Sequence, residues 1–220
     1  YHSTAHGSQN LAQAFANSCN GAFANLGLSL NLDKMHALAG RLLFNSSLPL
    51  SMEYSKSTYN MDGSADEWEI LQTSIGQGTT QVTPMHIAMI TSAIANGGTL
   101  MRPYLMDQVQ NVAGEEVKKF LPEAYGSLMT AEEAEKLNDL MTLVVTEGTG
   151  SALRDASYQA AGKTGSAEFE TGKETHAWFT GYAPAEDPQI VVTVIVEEGG
   201  SGGSAAAPVA RKLFDQYLLP

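Results

Sequence analysis

Residues 161–197 read AGKTGSAEFETGKETHAWFTGYAPAEDPQIVVTVIVE. This stretch contains three runs of strand-like composition, residues 161–169, 177–183 and 189–197, and a loop with two prolines separates the last two runs. Short connections favour antiparallel pairing, because parallel strands need a long crossover connection. The stretch therefore predicts an antiparallel β-sheet.

Helical patterns flank these strands on both sides. Before them, Thr130 and Glu133 form a capping box, in which each side chain binds a free backbone N–H group at the start of a helix. After them, a glycine-rich loop at residues 199–203 leads into a helix from about residue 204 to 218, where Pro208 is tolerated in the first turn. Helices flanking an antiparallel sheet are typical of an α+β fold.

The first half of the chain is mainly helical in pattern. Thr83, followed by proline, is typical of a helix N-cap, and Asn-Gly-Gly at residues 96–98 is typical of a helix end. Small turn-forming residues at positions 17–21 interrupt an earlier helical spacing. This interruption predicts that Ser18 and Asn20 lie at a junction between two helices.

Three further segments complete the predicted architecture. Residues 32–43 keep a helical period, whereas residues 45–68 are polar and predict a loop. Between Tyr104 and Phe120, two short strand-like runs flank residues 113–115, which predicts a hairpin.

Composition limits the classes of protein to which the chain can belong. With 220 residues, 43% of them hydrophobic and 16% charged, the chain predicts a single packed domain over residues 1–220. The net charge of −12 repels phosphate backbones and anionic lipid, which argues against a nucleic-acid partner. The single cysteine, Cys19, can form neither an internal disulfide nor a cysteine-rich metal site. No apolar run approaches the roughly 20 residues that span a bilayer.

Two clusters of residues carry candidate chemistry. Lys163, Thr164, Gly165 and Ser166 combine a cation, two hydroxyls and a glycine that allows close approach of a ligand, a combination suited to binding a carboxylate beside a strand. At the helix junction, Ser18 and its neighbour Asn20 add a hydroxyl and an amide. Each cluster taken alone is more commonly an ordinary edge strand or a helix terminus.

Together, however, Ser18-Cys19-Asn20 and Lys163-Thr164-Gly165-Ser166 resemble the second and third motifs of the superfamily of penicillin-binding proteins and serine β-lactamases. The cysteine between Ser18 and Asn20 is more similar to peptidoglycan transpeptidases than to β-lactamases. Other short motifs follow in the order usual for high-molecular-mass penicillin-binding proteins: His6-Gly7, Ile75-Gly76-Gln77-Gly78, Thr83-Pro84-Met85, Ala95-Asn96-Gly97-Gly98, Gly148-Thr149-Gly150 and Ala177-Trp178-Phe179-Thr180-Gly181-Tyr182-Ala183-Pro184.

The resemblance implies a role for each matched residue. Ser18 corresponds to a hydroxyl that relays protons, and Asn20 to an amide that orients the substrate peptide. Lys163 supplies positive potential beside the terminal carboxylate of the substrate, which the hydroxyls of Thr164 and Ser166 also bind. The backbone N–H of Ser166 is one oxyanion donor. The resemblance implies no metal and no cofactor.

One element of the family pattern is missing from the sequence. The family nucleophile lies in an S-x-x-K motif, and none of the eight lysines here has a serine three residues before it. We therefore expect the chain to be the C-terminal part of a transpeptidase domain, inactive alone. The resemblance implies a parent protein that is anchored to the membrane, lies outside the cytoplasm, binds β-lactams and cross-links peptidoglycan stem peptides ending in D-Ala-D-Ala.

Other enzyme motifs have weaker support. Residues 199–203 formally fit the G-x-S-x-G elbow of an α/β-hydrolase, but that fold places its histidine after the serine, and the last histidine here, His176, precedes it. His2 and His6 could share a metal if they were helical, but Gly7 favours a frayed chain start. The Gly-Gln-Gly and Gly-Thr-Gly motifs at residues 76–78 and 148–150 lack the ending of a phosphate loop and predict turns.

A non-enzymatic function is the main alternative. Without the early strands of the family sheet, the strand at residues 189–197 would keep an unpaired edge, and open edges recruit other chains. The chain could therefore be a binding or assembly module that forms homodimers through this edge.

Overall fold

The structure is a computed structural model that describes residues 6–219. The helices are α1 (Leu11–Ala16), α2 (Asn20–Ser29), α3 (Leu32–Arg41), α4 (Glu67–Ser74), α5 (Pro84–Ala95), α6 (Ala131–Thr146) and α7 (Ala207–Leu218). The strands are β1 (Thr99–Met101), β2 (Gln108–Gln110), β3 (Glu116–Lys119), β4 (Ala124–Ser127), β5 (Ala161–Ala167), β6 (His176–Ala183) and β7 (Ile190–Val196). A 3₁₀ turn (Ser151–Leu153) precedes β5, and a π-helical turn (Gly202–Ala206) leads into α7.

The predicted antiparallel sheet is confirmed as a three-stranded sheet in the order β5-β6-β7. Its register places Lys163 opposite Thr180, and Thr180 opposite Thr193. The first strand ends at Ala167, two residues earlier than predicted. Phe169, which the prediction placed in the strand, stacks on the ring of His176 at a centroid distance of 4.0 Å.

Helices cover both faces of this sheet. On one face, Phe179 packs with Phe214 of α7 in the largest apolar cluster, and both are fully buried. On the other face, Tyr182 packs with Met141 of α6, while Thr91 of α5 reaches the sheet through a hydroxyl hydrogen bond to Thr180. The layered arrangement confirms the predicted α+β fold.

The predicted termini of α5 and the predicted start of α6 are confirmed. Thr83 caps α5 by accepting a hydrogen bond from the backbone N–H of His86, and α5 ends at Ala95 with Asn96 as its C-cap. The Thr130–Glu133 capping box opens α6. Helix α7 begins later than predicted, since the glycine-rich loop first forms the π-helical turn.

The predicted loop at residues 45–68 gives way near its end to α4, which the sequence analysis missed. Asp66 caps α4 by accepting from the N–H of Glu69. No residue of α4 is fully buried, so its sequence lacks a strong apolar stripe. Its contact with α2 depends on Gly27, since a Cβ at this position would lie 2.7 Å from the Cβ of Ser74.

Residues 99–127 form a long β-ribbon that leaves and rejoins the helical layer. The predicted hairpin is confirmed as β2 paired with β3, and its base is the pairing of β1 with β4, which was not predicted. Every residue of β2 and β3 is exposed to solvent.

Two kinds of feature are absent from the described residues. Within residues 6–219, no helix combines the length and apolar character needed to span a bilayer. The same part of the chain holds no group of three or more His, Cys, Asp or Glu side chains arranged to bind a metal. Of the two residues considered as a metal-binding pair, His2 and His6, His2 lies outside the described residues.

We predict that Gly27→Ala lowers the free energy of unfolding by about 1–3 kcal/mol, the usual cost of overpacking, because the new methyl group forces α2 and α4 apart. Gly21→Ala is the matched control on the same helix, since nothing lies within 4 Å of a Cβ there. Urea denaturation of both variants is the measurement. A Gly27→Ala variant as stable as Gly21→Ala would contradict the proposed close packing.

Candidate functional site

The junction between α1 and α2 forms a tight turn that carries Ser18. A capping box of Asn10 and Gln13 opens α1, and the backbone N–H of Cys19 closes the turn on the carbonyl of Ala14 at 2.9 Å. Ser18 has a left-handed backbone, with φ of 51°, which is uncommon for a residue other than glycine. The turn directs the Ser18 hydroxyl towards the sheet, and Asn20 begins α2.

Lys163 of β5 meets this turn. Its Nζ donates hydrogen bonds to Ser18 Oγ and to the carbonyl oxygen of Thr164, both at 2.9 Å. The Nζ also lies 5.7 Å from the centroid of the Phe15 ring. Thus a contact between residues 145 positions apart joins the two motifs that the sequence analysis singled out.

Lys163 is half-buried, and its hydrogen-bond partners are neutral. Burial lowers its pKa from 10.5 to about 8, because desolvation penalises the charged form. No salt bridge joins Lys163 to a carboxylate of residues 6–219. A partly desolvated ammonium group with neutral partners is well suited to attract an anionic ligand.

The three residues after Lys163 have defined backbone or side-chain contacts. Thr164 Oγ1 lies 2.5 Å from Thr149 Oγ1, in the turn after α6. Ser166 Oγ accepts a hydrogen bond from the backbone N–H of Gly202 at 3.3 Å. Gly165 lies against the backbone of Gly202, so the π-helical turn approaches β5 closely at this point.

All six predicted site residues line one cleft of about 880 Å³. The cleft runs along the edge of β5 that faces away from β6. The residues are Ser18, Asn20, Lys163, Thr164, Gly165 and Ser166. Asn20 contributes to the wall and is exposed to solvent.

The cleft also includes residues that sequence reasoning did not assign to a site. Thr149 and Gln77 belong to motifs that were interpreted only as turns, and Phe15 was counted only as an apolar helix residue. The left-handed φ values of Gly76 and Gly78, 78° and 80°, confirm the first of these turns. For Gln77, the available sequence signal was a polar residue between two turn glycines. This pattern does not indicate where the side chain points.

The hypothetical hydrolase elbow is also on this cleft. Ser201 lies on the wall beside Gly200 and Gly202. No histidine of the described chain is among the lining residues, so Ser201 lacks the histidine that the α/β-hydrolase elbow pairs with its serine. The loop serves instead to bring the π-helical turn against β5.

Comparison with curated proteins identifies relatives over most of the chain. Peptidoglycan D,D-transpeptidase PbpA of Mycolicibacterium smegmatis is 36% identical over 193 residues, which cover 84% of this chain and 38% of the relative. Peptidoglycan D,D-transpeptidase MrdA of Haemophilus influenzae is 30% identical over 244 residues, covering 98% of this chain and 37% of the relative. The chain thus spans little more than a third of the length of these relatives.

Solved structures share the fold. The D,D-transpeptidase domain of a peptidoglycan glycosyltransferase from Eggerthella lenta has a TM-score of 0.90 at 31% identity, covering 98% of this chain and 54% of that one. Penicillin-binding protein A of M. tuberculosis, solved as a ceftriaxone acyl-enzyme complex, has a TM-score of 0.85 at 31% identity, covering 94% of this chain and 48% of that one.

The family model for the penicillin binding protein transpeptidase domain matches residues 1–215. This match agrees with the two motifs that meet at Lys163 and Ser18 and with the shared fold. The chain therefore belongs to the penicillin-binding protein transpeptidase family.

Proposed function

We propose that this chain is the C-terminal part of the catalytic domain of a peptidoglycan D,D-transpeptidase, carrying its groups for carboxylate binding and proton transfer. The observation that supports this most strongly is the 2.9 Å hydrogen bond from Lys163 Nζ to Ser18 Oγ inside a cleft. It joins a half-buried cation to a hydroxyl, and no salt bridge within residues 6–219 neutralises that cation.

The first proposed step is recognition of the terminal carboxylate of a stem peptide that ends in D-Ala-D-Ala. Lys163 provides the positive charge, and the hydroxyls of Thr164 and Ser166 provide hydrogen-bond donors on the same strand. Gly165 has no side chain, so the ligand can approach the backbone of β5 closely. The carboxylate of a β-lactam would bind the same groups.

The second proposed step is proton transfer through Ser18. The hydrogen bond from Lys163 leaves the hydroxyl proton of Ser18 free to be donated, so Ser18 Oγ can pass this proton to a leaving amine and accept another from a nucleophile. Asn20 lies on the same wall and orients the peptide bond of the substrate through its side-chain amide.

Acylation needs two further parts. The backbone N–H of Ser166 is proposed as one donor of the oxyanion hole. The attacking serine and its lysine are not among these 220 residues, since no serine stands three positions before a lysine. We propose that a segment outside this sequence supplies them, in a parent protein anchored to the membrane and acting outside the cytoplasm.

The unpaired edge of β7 supports a second candidate function. In the sheet of the described chain, β7 pairs with β6 alone, and its side chains are only partly buried except for Val192. An uncovered strand edge presents free N–H and C=O groups to another chain. The alternative is therefore a non-catalytic binding or assembly module that dimerises through β7.

The proposed absence of a nucleophile is tested with a fluorescent penicillin. We predict no covalent label on this chain after denaturing electrophoresis, because loss of the nucleophile in a serine hydrolase costs on the order of 10⁶ in rate. A penicillin-binding protein that contains S-x-x-K, labelled in parallel, is the positive control. A labelled band at 23.4 kDa would contradict the prediction.

The charge of Lys163 predicts a pH dependence of ligand binding. Only the protonated lysine attracts a carboxylate, so affinity for N-acetyl-D-Ala-D-Ala should fall as the pH rises through about 8, the pKa of Lys163. Lys163→Arg stays charged and should bind with little change between pH 7 and 9.5. NMR titration of the peptide measures both. Equal pH profiles for the two proteins would reject this role for Lys163.

The assembly alternative predicts self-association. If β7 pairs with a second copy, light scattering should give a mass near twice 23.4 kDa at high protein concentration. Two variants could block pairing at this edge. Val194→Pro removes a backbone N–H from the strand, but Val194 also packs in the core beside α7. Ile195→Lys is therefore the milder variant. A monomer at all concentrations would eliminate dimerisation through β7.

A further inference from the structure

The outer edge of β5, opposite the edge that pairs with β6, has a partner that is not a strand. Gln77 Nε2 donates to the carbonyl oxygen of Ser166 at 3.3 Å, and Gln77 Oε1 accepts from the backbone N–H of Glu168 at 3.2 Å. A single side-chain amide thus binds two backbone groups that an added strand would otherwise use.

The turn after α4 fixes the position of Gln77. The backbone N–H of Gln77 donates to the carbonyl of Gln72 at 2.9 Å, and the left-handed Gly76 and Gly78 stand on either side. Gln77 is half-buried and lines the cleft. Its amide therefore reaches β5 from a constrained turn.

The outward-facing groups of β5 follow the alternation of an antiparallel strand. The carbonyl of Thr164 faces the cleft, because it accepts from Lys163 Nζ, and the carbonyl of Ser166 faces the same side, because it accepts from Gln77. The N–H of Ser166 points the same way as its carbonyl. The N–H of Ser166 is therefore open to an extended ligand, whereas Gln77 occupies the carbonyl of Ser166 and the N–H of Glu168.

We propose that Gln77 is a specificity-determining residue that caps the edge of β5 and limits how many residues of an extended peptide can pair with it. This inference rests on the proposed function for the direction of the peptide. With the terminal carboxylate at Lys163, the chain extends along the cleft towards Glu168, which also lines it.

The length of the open edge sets the expected limit. A strand rises about 3.4 Å per residue, so two ligand residues cover the stretch from Thr164 to Ser166. The ligand residue whose carbonyl binds the N–H of Ser166 also directs its own N–H at Ser166 O, and the residue two positions further along the ligand would meet the N–H of Glu168. At both places the ligand competes with the Gln77 amide. Extra residues therefore add no backbone hydrogen bonds unless Gln77 moves away.

Two variants of Gln77 separate its hydrogen bonds. Gln77→Ala removes both bonds, whereas Gln77→Glu keeps an acceptor for the N–H of Glu168 and loses the donor to Ser166 O. Gln108→Ala is the control, because Gln108 is an exposed glutamine on β2, in the ribbon away from the cleft.

The first measurement is amide hydrogen exchange at Glu168 in the free chain, which does not depend on any ligand. We expect about fivefold faster exchange in Gln77→Ala, the factor that corresponds to one net hydrogen bond, and no change in Gln77→Glu or Gln108→Ala. Unchanged exchange in Gln77→Ala, or equally fast exchange in Gln77→Glu, would overturn the cap.

The second measurement compares two peptides with the same terminus, N-acetyl-D-Ala-D-Ala and N-acetyl-Gly-Gly-D-Ala-D-Ala. The unmodified chain should bind both with equal affinity. Gln77→Ala should bind the shorter peptide about fivefold more tightly and the longer one about 25-fold more tightly, because the shorter peptide gains one backbone hydrogen bond and the longer one gains two. Equal gains for both peptides, or a loss for the longer one, would reject the length limit. If neither peptide binds any form of the chain, the proposed function and the length limit both fail, whereas binding of the short peptide without the selective gain rejects the length limit alone.

Discussion

The hydrogen bond between Lys163 Nζ and Ser18 Oγ is the contact on which the cleft depends. It needs a turn between two helices to face the edge of a strand, and each side is fixed by its own local structure. On the helical side, Ser18 takes a left-handed backbone that only a closed turn maintains. On the strand side, the pairing of β5 with β6 sets where the lysine side chain emerges. Backbone strain at Ser18 is thus located where the proposed chemistry occurs.

Close backbone packing at two glycines holds the other walls of the cleft in place. Gly148 lies against the carbonyl of Ala16, and the N–H of Thr149 donates to that carbonyl at 3.1 Å, so the turn after α6 is attached to the end of α1. On the other side, Gly202 lies against the backbone of Gly165. A side chain at either glycine would push apart the elements that carry Ser18 and Lys163.

Much of the fold could be predicted from local signals. The capping box at Thr130, the N-cap at Thr83 and the strand composition of residues 161–197 act over a few residues, so the sequence displays them directly. Helix α4 was missed because it buries no residue fully, and β1 and β4 are short strands whose pairing spans a long insertion. Their formation depends on tertiary contacts, which a local pattern does not report.

The candidate site could also be predicted only in part from local sequence signals. Its six residues were found because two motifs carry the family resemblance, and the structure brings them to one cleft. Thr149 and Gln77 could not be assigned, because a turn motif indicates backbone shape and leaves the direction of a side chain open. The lowered pKa of Lys163 was equally hidden, since it arises from burial by elements such as α1 that lie far away in sequence.

A row of threonine hydroxyls crosses the sheet in line with Lys163. Thr91, Thr180 and Thr193 are joined by hydrogen bonds of 2.7 Å, and Lys163 continues the same cross-strand row. If β7 slipped by one residue, Thr193 would turn to the face occupied by Phe179 and Phe214, where its hydroxyl would find hydrocarbon. Only one alignment of β6 and β7 satisfies this row, and β6 is the strand with which β5 pairs. Thus α5 and β7, which do not line the cleft, hold in place the strand against which Lys163 is aligned.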